Sequence, residues 1–459
     1  AGGPAPHDAG VERPVILEVI VASPALEGSV LEVRGLGLDR LGLDARLAIE
    51  RDGSPISVLT AVADEGEDRR LFLLSADAVD QLGGGIHDVT LIASGNGLES
   101  EPFDFTLRIV TTLPVDLFEA PGGEVHRNDV AVLNGNGMIA ATEGTLQARF
   151  VGTFTLDAGG TSDIDDLLPV APLERTTRER GVVVLSTDLG GLMPGTFDGT
   201  IQLRSRLNNG EATESSALPI SLHFNPPDLY SLDPTNASVG QYLTVLGAGF
   251  LGGSEHPDET TLLRLEGMFA PTGGVPPEAF VPQEIVPLWL SGSEVQLVVE
   301  PAVLRDQIAS ELFGYSQGTF MGWATPIAIK GTQELEGTPV PFGFVLGPVR
   351  QVVYVRFLPG FYASLDRFGL ADAAPEIEAA VQARMEGLYS EWNVDLRFDE
   401  VDDFSRTSYS IVEIGGPDPN GTGLFGYDNS PGKDIGNLRL FDSIGGANAE
   451  TQSDGFPGY

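Results

Sequence analysis

The sequence predicts a mainly β chain: three tandem two-layer β-sandwiches followed by a smaller α+β domain. Three observations lead there. A short phrase recurs three times: Val30-Leu31-Glu32-Val33-Arg34-Gly35-Leu36-Gly37-Leu38, Val130 to Met138 with Gly135 and Gly137, and Tyr242 to Phe250 with Gly247 and Gly249. Each is a β-prone run ending in Gly-x-Gly and an apolar residue. The spacing of roughly 100 residues is that of repeated domains. Each copy is also followed by a matching closing segment. Past residue 349 the pattern changes to strand, helix, strand, strand.

Residues 1–13 are polar and rich in Gly and Pro, and read as a flexible N-terminal arm. The first sandwich spans 14–110. It opens with the apolar run Val15 to Val21, a strand, and turns at Ser23-Pro24 and Glu27-Gly28 before the repeat strand. It closes with Gly85 to Ile92, the hairpin signal Gly95-Asn96-Gly97, and Phe103 to Ile109. In that last run Phe103, Phe105, Leu107 and Ile109 alternate with Asp104, Thr106 and Arg108, the period of a half-buried strand. The second sandwich, 111–225, repeats this ending with Gly195 to Leu203, Asn208-Asn209-Gly210 and Leu218 to Phe224. The third, 226–348, does so with Gly318 to Ala324, the Lys330-Gly331 turn and Val340 to Leu346. A Gly at the end of a strand permits positive φ or close backbone approach, so that the next residue, Leu38, Met138 or Phe250, turns into the core.

The opening of the third repeat, Pro227-Asp228-Leu229-Tyr230-Ser231-Leu232-Asp233-Pro234 to Gly240, continues into Leu243-Thr244-Val245-Leu246-Gly247-Ala248-Gly249-Phe250. It resembles the start of an IPT/TIG domain. The first repeat fits that pattern loosely, and the second mainly at its Gly-x-Gly. The resemblance implies immunoglobulin-like (Ig-like) sandwiches over about three-quarters of the chain, in a repeat protein of the bacterial exported type. It is nearly silent on activity.

In the last segment, 349–459, Gln351 to Leu358 is an apolar strand. A helix begins near Asp372, the expected N-cap, with Pro375 and Glu376 in its first turn. Ile377, Ala380, Val381, Met385, Leu388, Tyr389 and Trp392 recur at three- and four-residue steps, one apolar face. Val394 to Phe398 and Tyr409 to Ile414 follow as strands. This order, with the Gly423–Tyr427 loop and the Gly436–Leu440 run, resembles the N-terminal half of a zincin metalloprotease domain. The resemblance implies a sheet and a backing helix ahead of a zinc helix carrying His-Glu-x-x-His.

That motif is missing. The five histidines, His7, His87, His126, His223 and His256, are scattered, so no zinc constellation is built. No phosphate-binding loop or Gly-x-Ser-x-Gly elbow occurs, and the Gly-x-Gly pairs lack the third Gly and crossover helix of a dinucleotide site. Cysteine is absent, which excludes disulfides and thiolate chemistry. The formal charge is −40, from 66 acidic and 26 basic residues, and repels nucleic acid and anionic membrane surfaces. No run is long and apolar enough to span a bilayer. Calcium is the one cofactor to consider, because Asp/Asn/Gly loops supply its oxygens. Asp157, Asp163, Asp165 and Asp166 form one acidic segment; Asp418, Asn420 and Asp428 form another. Neither has helix–loop–helix calcium spacing, and solvated loops account for both. Trp289, Trp323 and Trp392 are too scattered for a carbohydrate platform.

The expectation is therefore a non-enzymatic, secreted or cell-surface structural or adhesive protein. Its expected partners are other proteins or further copies of itself, joined by strand addition. The alternative is the non-catalytic N-terminal part of a secreted zinc metalloprotease whose zinc helix lies beyond residue 459.

Overall fold

The computed structural model describes residues 13–415, apart from 43, 65–68, 175, 234, 239–241, 255, 275, 299–301, 307–308, 311, 314–315, 348–350, 391–393 and 399–409. The N-terminal arm to residue 12 lies outside the described residues. So do Asp418, Asn420, Asp428 and the runs Gly423–Tyr427 and Gly436–Leu440. The chain forms tandem Ig-like β-sandwiches followed by a small α+β element. It divides into two compact units, Ala1–Val125 with Val130–Phe224, and His126–Asp129 with Asn225–Tyr459.

Three separate apolar cores reflect three sandwiches. The first gathers Leu31, Val33, Leu47, Phe72, Leu91 and Leu107. The second gathers Leu133, Phe150, Phe154, Phe197, Leu203 and Phe224. The third gathers Leu243, Leu263, Leu265, Phe320, Phe342 and Phe344. In the first two sandwiches a long strand serves both sheets. Ser54–Asp64 pairs with Arg46–Arg51 in one and with Arg69–Leu73 in the other. Thr161–Pro172 pairs with Gly144–Leu156 and then with Arg180–Val184. A strand that changes sheets closes a corner of the sandwich.

The recurring phrase has the same physical role in all three places. Strand Val30–Leu36 pairs antiparallel with Val15–Ile20, Val130–Asn136 with Asp116–Glu119, and Tyr242–Ala248 with Asp228–Asp233. At the first Gly of each phrase the register shifts: Gly35 faces Ile16, Gly135 faces Leu117, and Gly247 faces Leu229, with a bulge beside each in the partner strand. A Cβ on Gly35 would lie 1.9 Å from the Val15 carbonyl oxygen. On Gly135 it would lie 2.1 Å from that of Asp116, and on Gly247 2.2 Å from that of Asp228. The bulge presses backbone onto backbone, and only Gly fits. The second Gly turns the chain with φ of 67° at Gly37, 75° at Gly137 and 74° at Gly249. Leu38, Met138 and Phe250 then enter the cores, at 1% exposure or less.

The closing segments are equivalent as well. Strand Gly85–Gly95 pairs with Leu98–Glu99 across the Asn96-Gly97 turn and with Phe103–Ile109. Gly195–Leu207 pairs with Ala212–Glu214 and Leu218–Asn225, and Gly318–Lys330 with Gln333–Glu336 and Val340–Gly347. Asn96 at φ 48° and Gly97 at φ 76° make the two-residue turn that suits strand twist.

In the C-terminal element, Gln351–Phe357 is the central strand, flanked in parallel by Val394–Arg397 and Ser410–Ile414. The helix runs Ala374–Tyr389 and departs from expectation in two ways. Asp372 sits in a 3-10 turn, Ala371–Ala373, so the N-cap is Ala373 and has no side-chain cap. The apolar face is only half covered: Ile377, Val381, Met385 and Tyr389 are half-buried, while Ala380 and Leu388 are exposed and no helix residue is fully buried. The described sheet has three short strands, too few to cover the stripe.

Candidate interaction surfaces

The acidic segment of the second sandwich is a hairpin, not a cage. Asp163, Asp165 and Asp166 lie on Thr161–Pro172, and Asp157 follows the end of Gly144–Leu156. Strand alternation exposes Asp163 and Asp165 and sets Asp166 half-buried, in step with buried Ile164 and Leu168. Both Asp165 oxygens accept from Arg149, at 2.6 and 2.5 Å, which holds its carboxyl below the usual range. Burial, with Asp188 and Asp165 adding to it, pushes Asp166 up. The Asp157 carboxylate lies 3.8 Å from His223 Nε2. Among the described residues, no group of three or more His, Asp or Glu is arranged to hold a metal ion. His87 and His223 have ordinary strand environments: His87 Nε2 meets the Gly83 carbonyl at 2.9 Å, and His223 Nδ1 meets Thr196 Oγ1 at 3.0 Å.

A buried polar joint links the first two sandwiches, and nothing in the sequence announces it. Arg178 donates two parallel hydrogen bonds to Glu143, Nη1 to Oε2 at 2.7 Å and Nη2 to Oε1 at 2.6 Å. Its Nε donates to the Pro24 carbonyl at 2.9 Å and its Nη1 to that of Met138 at 3.2 Å. Ser29 Oγ donates to Glu143 and accepts from Leu26 N–H at 2.7 Å. Leu26, from the first sandwich's turn, packs into the second sandwich's core. The Arg178 and Glu143 side chains are 6% and 3% exposed, so the pair stands on its hydrogen bonds rather than on solvent.

The surface with the strongest capacity to bind another chain is a groove of about 390 Å³ on the first sandwich. Val19, Val21, Ile86 and Phe105 line it, with Thr106 and Arg108 at the rim. Its geometry follows from topology. Val15–Ile20 is the edge of one sheet, and Phe103–Ile109 pairs only with Gly85–Gly95. Ala25 stitches the two together at one end, donating to the Arg108 carbonyl at 2.7 Å and accepting from Val110 N–H at 3.0 Å. Past that stitch the two strand edges flank the groove, each with a row of backbone groups outside the ladders of its own sheet. Ile86, 72% exposed, stands beside it. A second exposed apolar strip crosses the second sandwich, where Val130 faces Val184 and Val132 faces Val182 across adjacent strands. Among the described residues no helix is long and apolar enough to cross a membrane.

No family model matches the chain, and no curated protein does. Solved structures align with it at low identity. The full extracellular region of plexin A4 is 10% identical over 74% of this chain, with a TM-score of 0.26; the alignment covers 30% of the plexin chain, so this chain spans less than a third of it. Domains FN1–FN3 of chicken CNTN1 are 10% identical over 73% of this chain and 99% of that one, with a TM-score of 0.19. The N-terminal four Ig domains of Dscam1 isoform 6.9 are 12% identical over 75% and 82%, with a TM-score of 0.18. These are likenesses of fold, to tandem β-sandwich domains, and carry no activity or partner with them.

Proposed function

We propose that the chain is a non-enzymatic, secreted or cell-surface structural or adhesive protein that works as a subunit of an extracellular assembly. Three sandwiches of the IPT/TIG type, with boundaries near residues 110, 225 and 348, serve as rigid spacers. Copies join by strand addition. One observation carries the reading: the apolar groove flanked by the edge strands Val15–Ile20 and Phe103–Ile109. An extended segment laid there gains backbone hydrogen bonds from an edge while alternate side chains bury against Val19 and Phe105. The Arg178–Glu143 joint supports the spacer role, because it fixes the first sandwich on the second.

Light scattering coupled to size exclusion, over a hundredfold range of concentration, tests this. The expected result is a mass that climbs with concentration and falls back to one chain in Ile86→Asp, a substitution at an exposed position. A strictly monomeric chain at the highest concentration sinks the proposal. A second reading, the non-catalytic part of a secreted zinc metalloprotease, draws support from the parallel C-terminal sheet and its crossover helix Ala374–Tyr389. A His-Glu-x-x-His helix encoded shortly after residue 459 favours it, and an unrelated continuation removes it.

A further inference from the structure

The outer face of the third sandwich carries an apolar platform that its fold leaves uncovered. On the paired strands Glu259–Pro271 and Gly318–Lys330, Met268 faces Met321 and Glu266 faces Trp323. Pro341 lies beside Trp323 on the next strand. Trp323 is 50% exposed, Met321 58% and Met268 48%. Strand alternation accounts for the placement: Leu265, Phe269, Phe320 and Ala324, the intervening residues, fill the core. Half-exposed Trp and Met clustered on one face have no folding role that an ordinary polar residue would not fill, and such clusters mark contact sites.

The charges at the platform are one-sided. Glu266, directly across from Trp323, makes no ion pair among the described residues, and neither does Glu278, next to the residue opposite Met268. The basic groups of the same sandwich are already engaged. Arg264 holds Glu284 and Glu336, Arg305 holds Glu284 and Glu334, and Lys330 holds Glu259. A cation over the Trp323 ring must therefore come from another molecule. An indole face attracts a guanidinium or ammonium, and a carboxylate one strand away strengthens that attraction. The methionines adapt to apolar side chains on either side of the cation. A chain of net charge −40 also steers cationic partners toward itself.

We infer that this face binds a second protein through a cationic segment, in which an Arg or Lys flanked by apolar residues stacks on Trp323 beside Glu266 while its neighbours pack on Met268 and Met321. This surface is distinct from the strand groove of the first sandwich, and its failure leaves the assembly reading standing. A neutral oligosaccharide is the less favoured occupant, because around Trp323 the platform offers methionine and proline where a sugar needs several hydroxyl partners.

The probe is the acetylated, amidated peptide Leu-Arg-Leu-Arg-Leu, titrated calorimetrically into the full chain at low salt. The expected result is measurable binding that weakens about tenfold in Trp323→Ala and about threefold in Glu266→Gln. Trp323→Phe keeps a ring and retains most of the affinity, which separates a lost contact from a misfolded variant. Asp80→Asn, an exposed carboxylate on the first sandwich, controls for bulk charge and leaves the affinity unchanged. The proposal is overturned if the wild-type chain does not bind. It is also overturned if Asp80→Asn weakens binding as much as Glu266→Gln, or if Trp323→Ala leaves the affinity intact. Binding of a neutral β-glucan hexasaccharide that depends on Trp323, without binding of the peptide, overturns it in favour of a sugar.

Discussion

Arg178 meets Glu143 through two parallel hydrogen bonds, 2.6 and 2.7 Å long, at a site where both side chains are almost wholly removed from solvent. The pair joins two sandwiches, and its consequence is mechanical as much as thermodynamic. Truncating Arg178 to Ala leaves the Glu143 carboxylate buried beside Ser29 without its charge partner. Loss of one partner from such a pair costs about 3–5 kcal/mol. Urea denaturation of Arg178→Ala is expected to show a loss of that size. The double variant Arg178→Met with Glu143→Leu is expected to recover most of it, because an apolar pair of similar volume needs no compensation. A single variant as stable as wild type contradicts the joint's role.

The pH dependence should split by site. Burial pushes Glu284 up, but hydrogen bonds from Arg264 and Arg305 outweigh it and hold the carboxyl below its usual 4.5. Its contribution to stability is present above pH 4.5 and fades as pH falls through the depressed folded value. Glu284→Gln is expected to cost about 1 kcal/mol at pH 7 and nothing once the wild-type carboxyl is protonated. Asp166 has the opposite sign. Burial first, then Asp188 and Asp165, raises it above 3.8, so its ionised form penalises the folded state. Asp166→Asn is expected to raise the melting temperature at pH 7 and leave it unchanged below pH 3.8. Thermal melts from pH 3 to 8 check both signs.

Gly387 offers a control on the C-terminal element. It lies inside the helix Ala374–Tyr389, and a Cβ there meets nothing within 4 Å. Gly387→Ala is expected to stabilise that element by about 0.5–1 kcal/mol through helix propensity alone. Amide exchange along the helix reads the change, and faster exchange in the variant contradicts an open helical position.

Much of the architecture was legible because it is local. The Gly-x-Gly phrase, the Asn96-Gly97 turn and the alternation of Phe103 to Ile109 are short-range patterns with a direct backbone meaning, and each marks the element it implied. The short helix Ala76–Leu82 escaped notice although Ser75 caps it, accepting from Ala78 N–H at 3.2 Å; seven residues give too few turns for a period to stand out. Surfaces were far less legible. Glu143 and Arg178 are 35 residues apart and Ser29 is 114 from Glu143, so only the packing of two sandwiches reveals the joint. Trp323 looked isolated because its companions Met268 and Glu266 stand on another strand. The Asp157–Asp166 segment looked like a cation site because sequence gives carboxylate density, not direction. Alternation along Thr161–Pro172 and the Arg149 fork spread those groups apart.

The account rests on one structural equivalence, that the first Gly of each phrase sits against a bulged carbonyl in its own sandwich. The direct measurement is equilibrium unfolding of Gly35→Ala, Gly135→Ala and Gly247→Ala, followed by amide exchange to locate the weakened region. The account predicts that each variant loses about 1–3 kcal/mol, with faster exchange centred on Val15–Ile20, Asp116–Glu119 and Asp228–Asp233 respectively. If any of the three matches wild-type stability, or the loss of protection falls in a different sandwich, the common plan is wrong.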